Sequence, residues 1–218
     1  MSHALDKIYA HRFSGREDER AVLWRTLVDH EFQRYIRPDD AVLDLGAGYC
    51  EFINSVRCGK KYAIDLNPDV ERRAAPDVTV HHTASTSLPP SLEGSVDVVW
   101  ISNFLEHLDD KHELFTTLRE VHRVLRPGGR VMVLQPNIRL IGGAYWDFVD
   151  HSLPITDRSL REALELTGFE IQLLKTRFLP YTNHSRLPAS PALIRLYLRF
   201  KPAQLLLGKQ TFAIATRA

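Results

Sequence analysis

Cysteine is nearly missing from this chain: Cys50 and Cys58 are the only two in 218 residues. They cannot build a disulfide framework, and neither sits in a CxxC pair of the kind that holds structural zinc. A reducing compartment is the simplest setting, so a cytoplasmic location is expected. Long apolar runs are missing too. No stretch approaches the roughly 20 residues that span a bilayer, and the opening MSHALDKIYAHRF lacks the apolar centre of a secretory signal. Neither sign of charge dominates, since 28 Lys and Arg stand against 27 Asp and Glu. That excludes the global basic field of a nucleic-acid binder, and no nucleic acid is expected as partner. No internal repeat or low-complexity segment is found.

What is present is a change of period. Val22, Leu23, Leu27, Val28, Phe32 and Ile36 fall at helical spacing across residues 17–36, ahead of Pro38. Short unbroken apolar runs follow at Ala41–Leu45, Tyr62–Leu66, Val78–His82, Val96–Ile101 and Arg130–Leu134. Such runs suit strands covered on both faces of a parallel sheet. Between the last two, Lys111–Arg126 shows one apolar helical face, which Pro127-Gly128-Gly129 should end with a stop and a turn. Strands alternating with helices predict right-handed crossovers and a doubly wound α/β sheet. Residues 137–155 read as loop. A helix starts near Thr156 or Asp157 and ends at Gly168, and Phe169–Leu174 and Phe212–Thr216 read as two further strands. A basic, apolar helix interrupted by Pro202 fills residues 188–207, an insertion before the final strand.

The segment Val42-Leu43-Asp44-Leu45-Gly46-Ala47-Gly48-Tyr49-Cys50-Glu51-Phe52 carries the most chemistry. Gly46 and Gly48 let backbone approach a ligand, although a glycine turn also serves plain helix–strand packing. Asp44 precedes the turn. A carboxylate there would oppose a pyrophosphate and would suit an ammonium group. The third glycine of a dinucleotide G-x-G-x-x-G is absent, because Glu51 holds that position. Asp65, 21 positions after Asp44, falls where an acid can accept hydrogen bonds from both ribose hydroxyls; it can equally cap the next turn.

VLDLGAGYCEF, YAIDLNP, SVDVVWISNFLEHL and LREVHRVLRPGGRVMVLQPN, in that order, resemble the class I S-adenosylmethionine-dependent methyltransferase family over about residues 40–137. TDRSLREALELTGFEI extends the likeness more loosely. The resemblance implies a seven-stranded, mostly parallel, Rossmann-like sheet with a reversed last strand and S-adenosylmethionine across its carboxyl edge. It implies Asp44, Gly46 and Gly48 along the methionine portion, Asp65 at the ribose, and Leu66, Asn103 and Phe104 near the cofactor. The acid that many members place after the third strand is missing from His82-Thr83-Ala84-Ser85, which leaves Ser85 or a backbone amide for the adenine. A leading helix often lids the cofactor in this family, and Arg12 could there meet the methionine carboxylate; a frayed terminus is the alternative.

On the acceptor side, Glu106 and His107 follow the fourth strand, and the His107 imidazole could act as base. A structural role in the family's EHL segment competes with that. Tyr145, Trp146, Asp150 and His151 follow the fifth strand: the aromatics offer an acceptor wall or merely cover the sheet edge, and Asp150 and His151 could orient and deprotonate a hydroxyl. His81, His82, His112 and His122 lack ligand spacing, so no metal is assigned. The expectation is one methyltransferase domain over 1–218: a helical lid at 1–37, a cofactor core at 38–136 and an acceptor side at 137–218. The expected reaction is methyl transfer to oxygen of a small-molecule, sugar or lipid-linked glycan acceptor, of a bacterial small-molecule or cell-surface glycan type. The alternative is an inactive protein that binds the cofactor or a partner. Residues 190–207 could form a lid, a homodimer face or a peripheral membrane contact.

Overall fold

The computed structural model describes residues 17–181 and 190–218. Helix α1 (Glu17–Leu27) runs on as a π-helical turn (Val28–Phe32) and a 3-10 turn (Gln33–Tyr35). The expected single helix over 17–36 thus changes winding along its length, and Phe32 is driven into the core against Trp100, with ring centroids 4.6 Å apart. There follow β1 (Ala41–Leu45), α2 (Glu51–Ser55), β2 (Lys60–Ile64), α3 (Asp69–Arg73), β3 (Val78–His81), β4 (Val96–Ser102), α4 (Lys111–Val124) and β5 (Leu125–Pro136). Then come α5 (Ile138–Ile141), α6 (Asp157–Leu166), β6 (Phe169–Lys175), α7 (Pro191–Arg199), α8 (Lys201–Leu207) and β7 (Gln210–Arg217).

The seven strands form one sheet in the order β3-β2-β1-β4-β5-β7-β6. β7 runs antiparallel to both β5 and β6, and the other pairings are parallel. β1 is buried along its whole length between β2 and β4. Side chains alternate between two cores, as the pleat requires. Leu43, Leu45, Val99, Ile101, Val131 and Val133 face Leu118 and Val121 of α4 and Leu160 and Leu164 of α6. Val42, Val98, Trp100, Met132 and Leu134 face Trp24 and Leu27 of α1, Phe32 and Phe52. Covering both faces explains why the strands read as continuous apolar runs.

Two expectations are corrected. Pro127-Gly128-Gly129 is not a turn outside the sheet but an irregularity within β5: Leu125 pairs with Val96, and the ladder resumes at Arg130 with Val98. Gly129 makes this possible, since a Cβ there would lie 2.9 Å from the Arg126 carbonyl oxygen. Residues 137–155 are not all loop, because α5 and a 3-10 stretch, Gly142–Asp147, occupy the first part. α6 starts at Asp157, as expected, and Thr156 caps it, its hydroxyl accepting the Ser159 amide. The strand order reverses between β1 and β4, and the carboxyl ends of β1, β2, β4 and β5 meet at that edge.

Candidate functional site

At the end of β1 the chain turns sharply. Gly46 (φ +72°), Gly48 (φ +53°) and Cys50 (φ +62°) all take left-handed backbone conformations. A Cβ at Gly46 would stand 2.5 Å from the Phe104 ring, so this glycine lets the ring close over the turn. Phe104 follows Asn103, itself left-handed at φ +47°, whose amide donates to the Leu134 carbonyl at 2.9 Å. The Asp65 carboxylate accepts the Gly48 amide at 2.7 Å and the Asn67 amide at 2.8 Å, which ties the end of β2 to the glycine turn.

Asp44 is only 3% exposed. Burial, and then the like charges of Glu51 and Asp65, hold its carboxyl well above the usual carboxylate range, against one opposing backbone hydrogen bond from Ile53. Burial also raises Asp65, opposed by its backbone donors. Glu51 is paired outward with Arg20 at 2.7 Å. The turn therefore gathers buried carboxyls whose ionised form a positive ligand would favour. A pyrophosphate would add to the repulsion. Cys50 is buried beside the same acids and its thiol is pushed far up, which makes it a packing residue and no nucleophile.

The remaining cofactor-side candidates are placed as follows. Leu66 is half-exposed beyond β2, and its carbonyl is bonded to the His82 ring. Ser85 is buried with its hydroxyl 2.8 Å from that of Thr117 on α4, so a ligand would find it already engaged. Asn103 is exposed at the edge. Arg12 lies outside the described residues.

The candidate acceptor side draws on three segments. The 3-10 turn Leu105–His107 follows β4, and its Glu106 carbonyl accepts the amides of Ser152 (2.9 Å) and Leu153 (3.1 Å). Those two bonds fasten the loop after β5 against the loop after β4. His107 Nδ1 lies 3.0 Å from the Asp150 carbonyl oxygen and 3.3 Å from its carboxylate. Donation from Nδ1 leaves the Nε2 lone pair free to accept a proton. The His107 and His151 rings stand edge to face at 5.0 Å, and His151 is buried against Tyr145 and Phe148.

Two residues expected to face the acceptor are buried. Tyr145 is fully buried, its hydroxyl donating to the Leu153 carbonyl at 2.6 Å, because a phenol out of water must pair its O–H. Its ring supports His151. Glu106 is 1% exposed and accepts from Gln135 Nε2 at 2.9 Å, and burial raises its carboxyl above the ordinary range. Trp146, half-exposed, remains at the surface of that loop. Sequence reasoning missed Gln135, the polar residue near the end of β5's apolar run. It also set the pair Glu106 and His107 apart from His151, whereas the ligating atoms of all three lie within 4.8 Å of one another.

A single reversed strand in this order, with a glycine turn and an acid ending the first two strands, defines the class: a Rossmann-like methyltransferase fold. Residues 43–133, less than half of the chain, match the family described as Methyltransferase domain. S-adenosylmethionine, positive at its ammonium and its sulfonium, is the cofactor that the acid-rich turn fits. A protein of Mycolicibacterium smegmatis named as a probable S-adenosylmethionine-dependent methyltransferase is 33% identical over 133 residues, covering 53% of this chain and 50% of that one. The chain thus spans about half the length of that relative. Among solved structures, a chain from the Haloferax volcanii complex of the Trm112 methyltransferase activator with a methyltransferase superposes with a TM-score of 0.68. It is 18% identical, with 95% of this chain and 94% of that one covered. The N-methyltransferase NodS of Bradyrhizobium japonicum, solved with S-adenosyl-L-homocysteine, gives 0.64 at 13% identity, covering 99% and 97%.

Proposed function

We propose that this chain methylates a hydroxyl oxygen of a small-molecule, sugar or lipid-linked glycan acceptor, with the segments after β4 and β5 forming the acceptor side. The observation that carries the reading is His107, held at the carboxyl edge with Nδ1 on Asp150 and Nε2 turned toward the Glu106 carboxylate, 3.9 Å away. Bound S-adenosylmethionine supplies the methyl group as an electrophile and leaves as a neutral thioether. His107 Nε2 takes the acceptor's hydroxyl proton as the oxygen attacks, and the Asp150 carboxylate stabilises the imidazolium that forms. Asp44 and Asp65 hold the cofactor, while His151, wedged against Tyr145 and Phe148, fixes the His107 ring.

A second reading has its own observation. Glu106, His107 and His151 present a carboxylate and two imidazoles, a donor set known for divalent cations. A cation there would acidify the acceptor hydroxyl itself and make a base unnecessary. Turnover of purified protein against a hydroxyl-acceptor panel, before and after EDTA dialysis, separates the two. Turnover that survives EDTA and is lost in His107→Gln supports the base. Loss on EDTA with recovery on adding Zn²⁺ or Mg²⁺ supports the metal. Calorimetric binding of S-adenosylhomocysteine without turnover on any acceptor would favour the inactive binding protein.

A further inference from the structure

Residues 171–218 contain no Asp or Glu at all, yet hold eight of the chain's 28 Lys and Arg. The preceding 170 residues carry the other 20 against all 27 acids. The near-neutral total hides a strongly basic end.

The helix pair in that end shows two faces. Ile194, Tyr197 and Leu198 of α7 turn inward onto the α1 side of the sheet. The Tyr197 hydroxyl donates to the Phe178 carbonyl at 2.6 Å, and Gln204 of α8 donates to the Leu198 carbonyl at 2.8 Å. Anchored this way, the pair leaves Leu193, Leu196, Phe200, Leu205, Leu206 and Leu207 outward, each more than half exposed. Arg195, Arg199 and Lys201 are exposed among them and enter no ion pair among the described residues. Solvent-facing leucines interspersed with cations that make no ion pair among the described residues are not how a surface helix is stabilised in water. This is the composition of a helix lying in the interface of an anionic bilayer.

Its place in the fold gives the contact a direction. α8 leads straight into β7, which is antiparallel to β5 and so begins at the carboxyl edge, Gln210 opposite Pro136. The Asn137 amide donates to the Lys209 carbonyl there. On the acceptor loop at the same edge, Trp146 and Val149 are exposed, Val149 at 90%.

We infer that α7 and α8 dock this protein on an anionic lipid surface, leucines in the headgroup layer and Arg195, Arg199 and Lys201 on lipid phosphates, with the catalytic edge beside the membrane. No helix among the described residues is long and apolar enough to cross a bilayer, so the contact is peripheral. The inference is independent of which acceptor is methylated.

Cosedimentation with phosphatidylcholine vesicles, with and without phosphatidylglycerol, tests it. Binding is expected only with phosphatidylglycerol present, and it weakens as salt is raised, because the attraction is screened. Arg195→Glu/Arg199→Glu should weaken it by about tenfold or more, and Leu205→Ser/Leu206→Ser should weaken it at any salt. Both variants alter exposed side chains, so S-adenosylhomocysteine binding should be unchanged and reports that each is folded. Failure of the folded wild-type chain to sediment with phosphatidylglycerol vesicles overturns the inference. So does a dimer in velocity sedimentation that Leu206→Asp dissociates, since a second copy would then cover the leucines.

Discussion

The two sides of the catalytic edge are built on opposite principles. The cofactor side comes from two short stretches, 44–51 and 65–67, held by backbone amides and loaded with acids. The acceptor side draws Glu106 and His107, Gln135, and Asp150 and His151 from three separate segments, and it is packed with rings. The first gathers buried carboxyls whose ionised form a cationic ligand would favour. The second holds a hydrogen-bonded imidazole whose environment depends on how two loops are fastened. A cofactor common to many enzymes can be bound by a contiguous, precharged turn, whereas acceptor choice rests on loops that differ from one enzyme to another.

The largest expected effect breaks the acceptor side alone. His107→Gln should lower kcat by about 10²–10⁴-fold and leave calorimetric binding of S-adenosylhomocysteine unaltered. Equal loss of both would mean that the two sides are not separable.

Asp44→Asn should break the cofactor side, with an outcome of mixed sign. S-adenosylmethionine binding should fall by about 100-fold, since a charge-assisted contact in a buried site is removed. The ligand-free protein should melt higher, by ~2–4 °C for each kcal/mol of burial cost relieved. A melting point that falls instead would make Asp44 a structural residue.

A third change tests the link between the sides. Gly46→Ala places a Cβ against the Phe104 ring and strains a left-handed residue. A loss of about 1–3 kcal/mol of stability is expected by denaturant titration, together with weaker cofactor binding.

The pH dependence is the smallest effect and has a definite sign. Asp44, Asp65 and Glu106 bind their protons more tightly folded than unfolded. Between the ordinary carboxylate range and their raised values the folded state therefore holds more protons, so ligand-free stability falls as pH rises through that window. The cationic cofactor favours ionised Asp44, so binding there should release protons, visible as a dependence of the binding heat on buffer ionisation enthalpy. Uptake of protons would contradict the assignment.

Much of this was legible in the sequence, for local reasons. The ends of β1, β3 and β4 were found within a residue, because strands covered on both faces are written as apolar runs. The glycine turn and Asp65 were legible because both lie at strand ends, where topology alone brings them together. Pro127-Gly128-Gly129 was misread since its composition signals a turn, and only the crowding at Gly129 shows that it is accommodated inside the sheet. α5 is a single turn and too short to show a period. Tyr145 and Trp146 look alike as neighbours in sequence, yet one is core and the other surface. The Glu106–Gln135 bond spans 29 positions, and no local pattern announces it.

The distribution of the three tryptophans makes the protein report on itself. Trp24 and Trp100 are shielded in the α1-side core, at 9% and 0% exposure, while Trp146 is 51% exposed on the acceptor loop. An aqueous quencher such as iodide therefore reaches one indole of three. The quenchable fraction of the intrinsic fluorescence is a signal from the acceptor loop, so ligands that cover it can be screened optically without a label and without knowing the product.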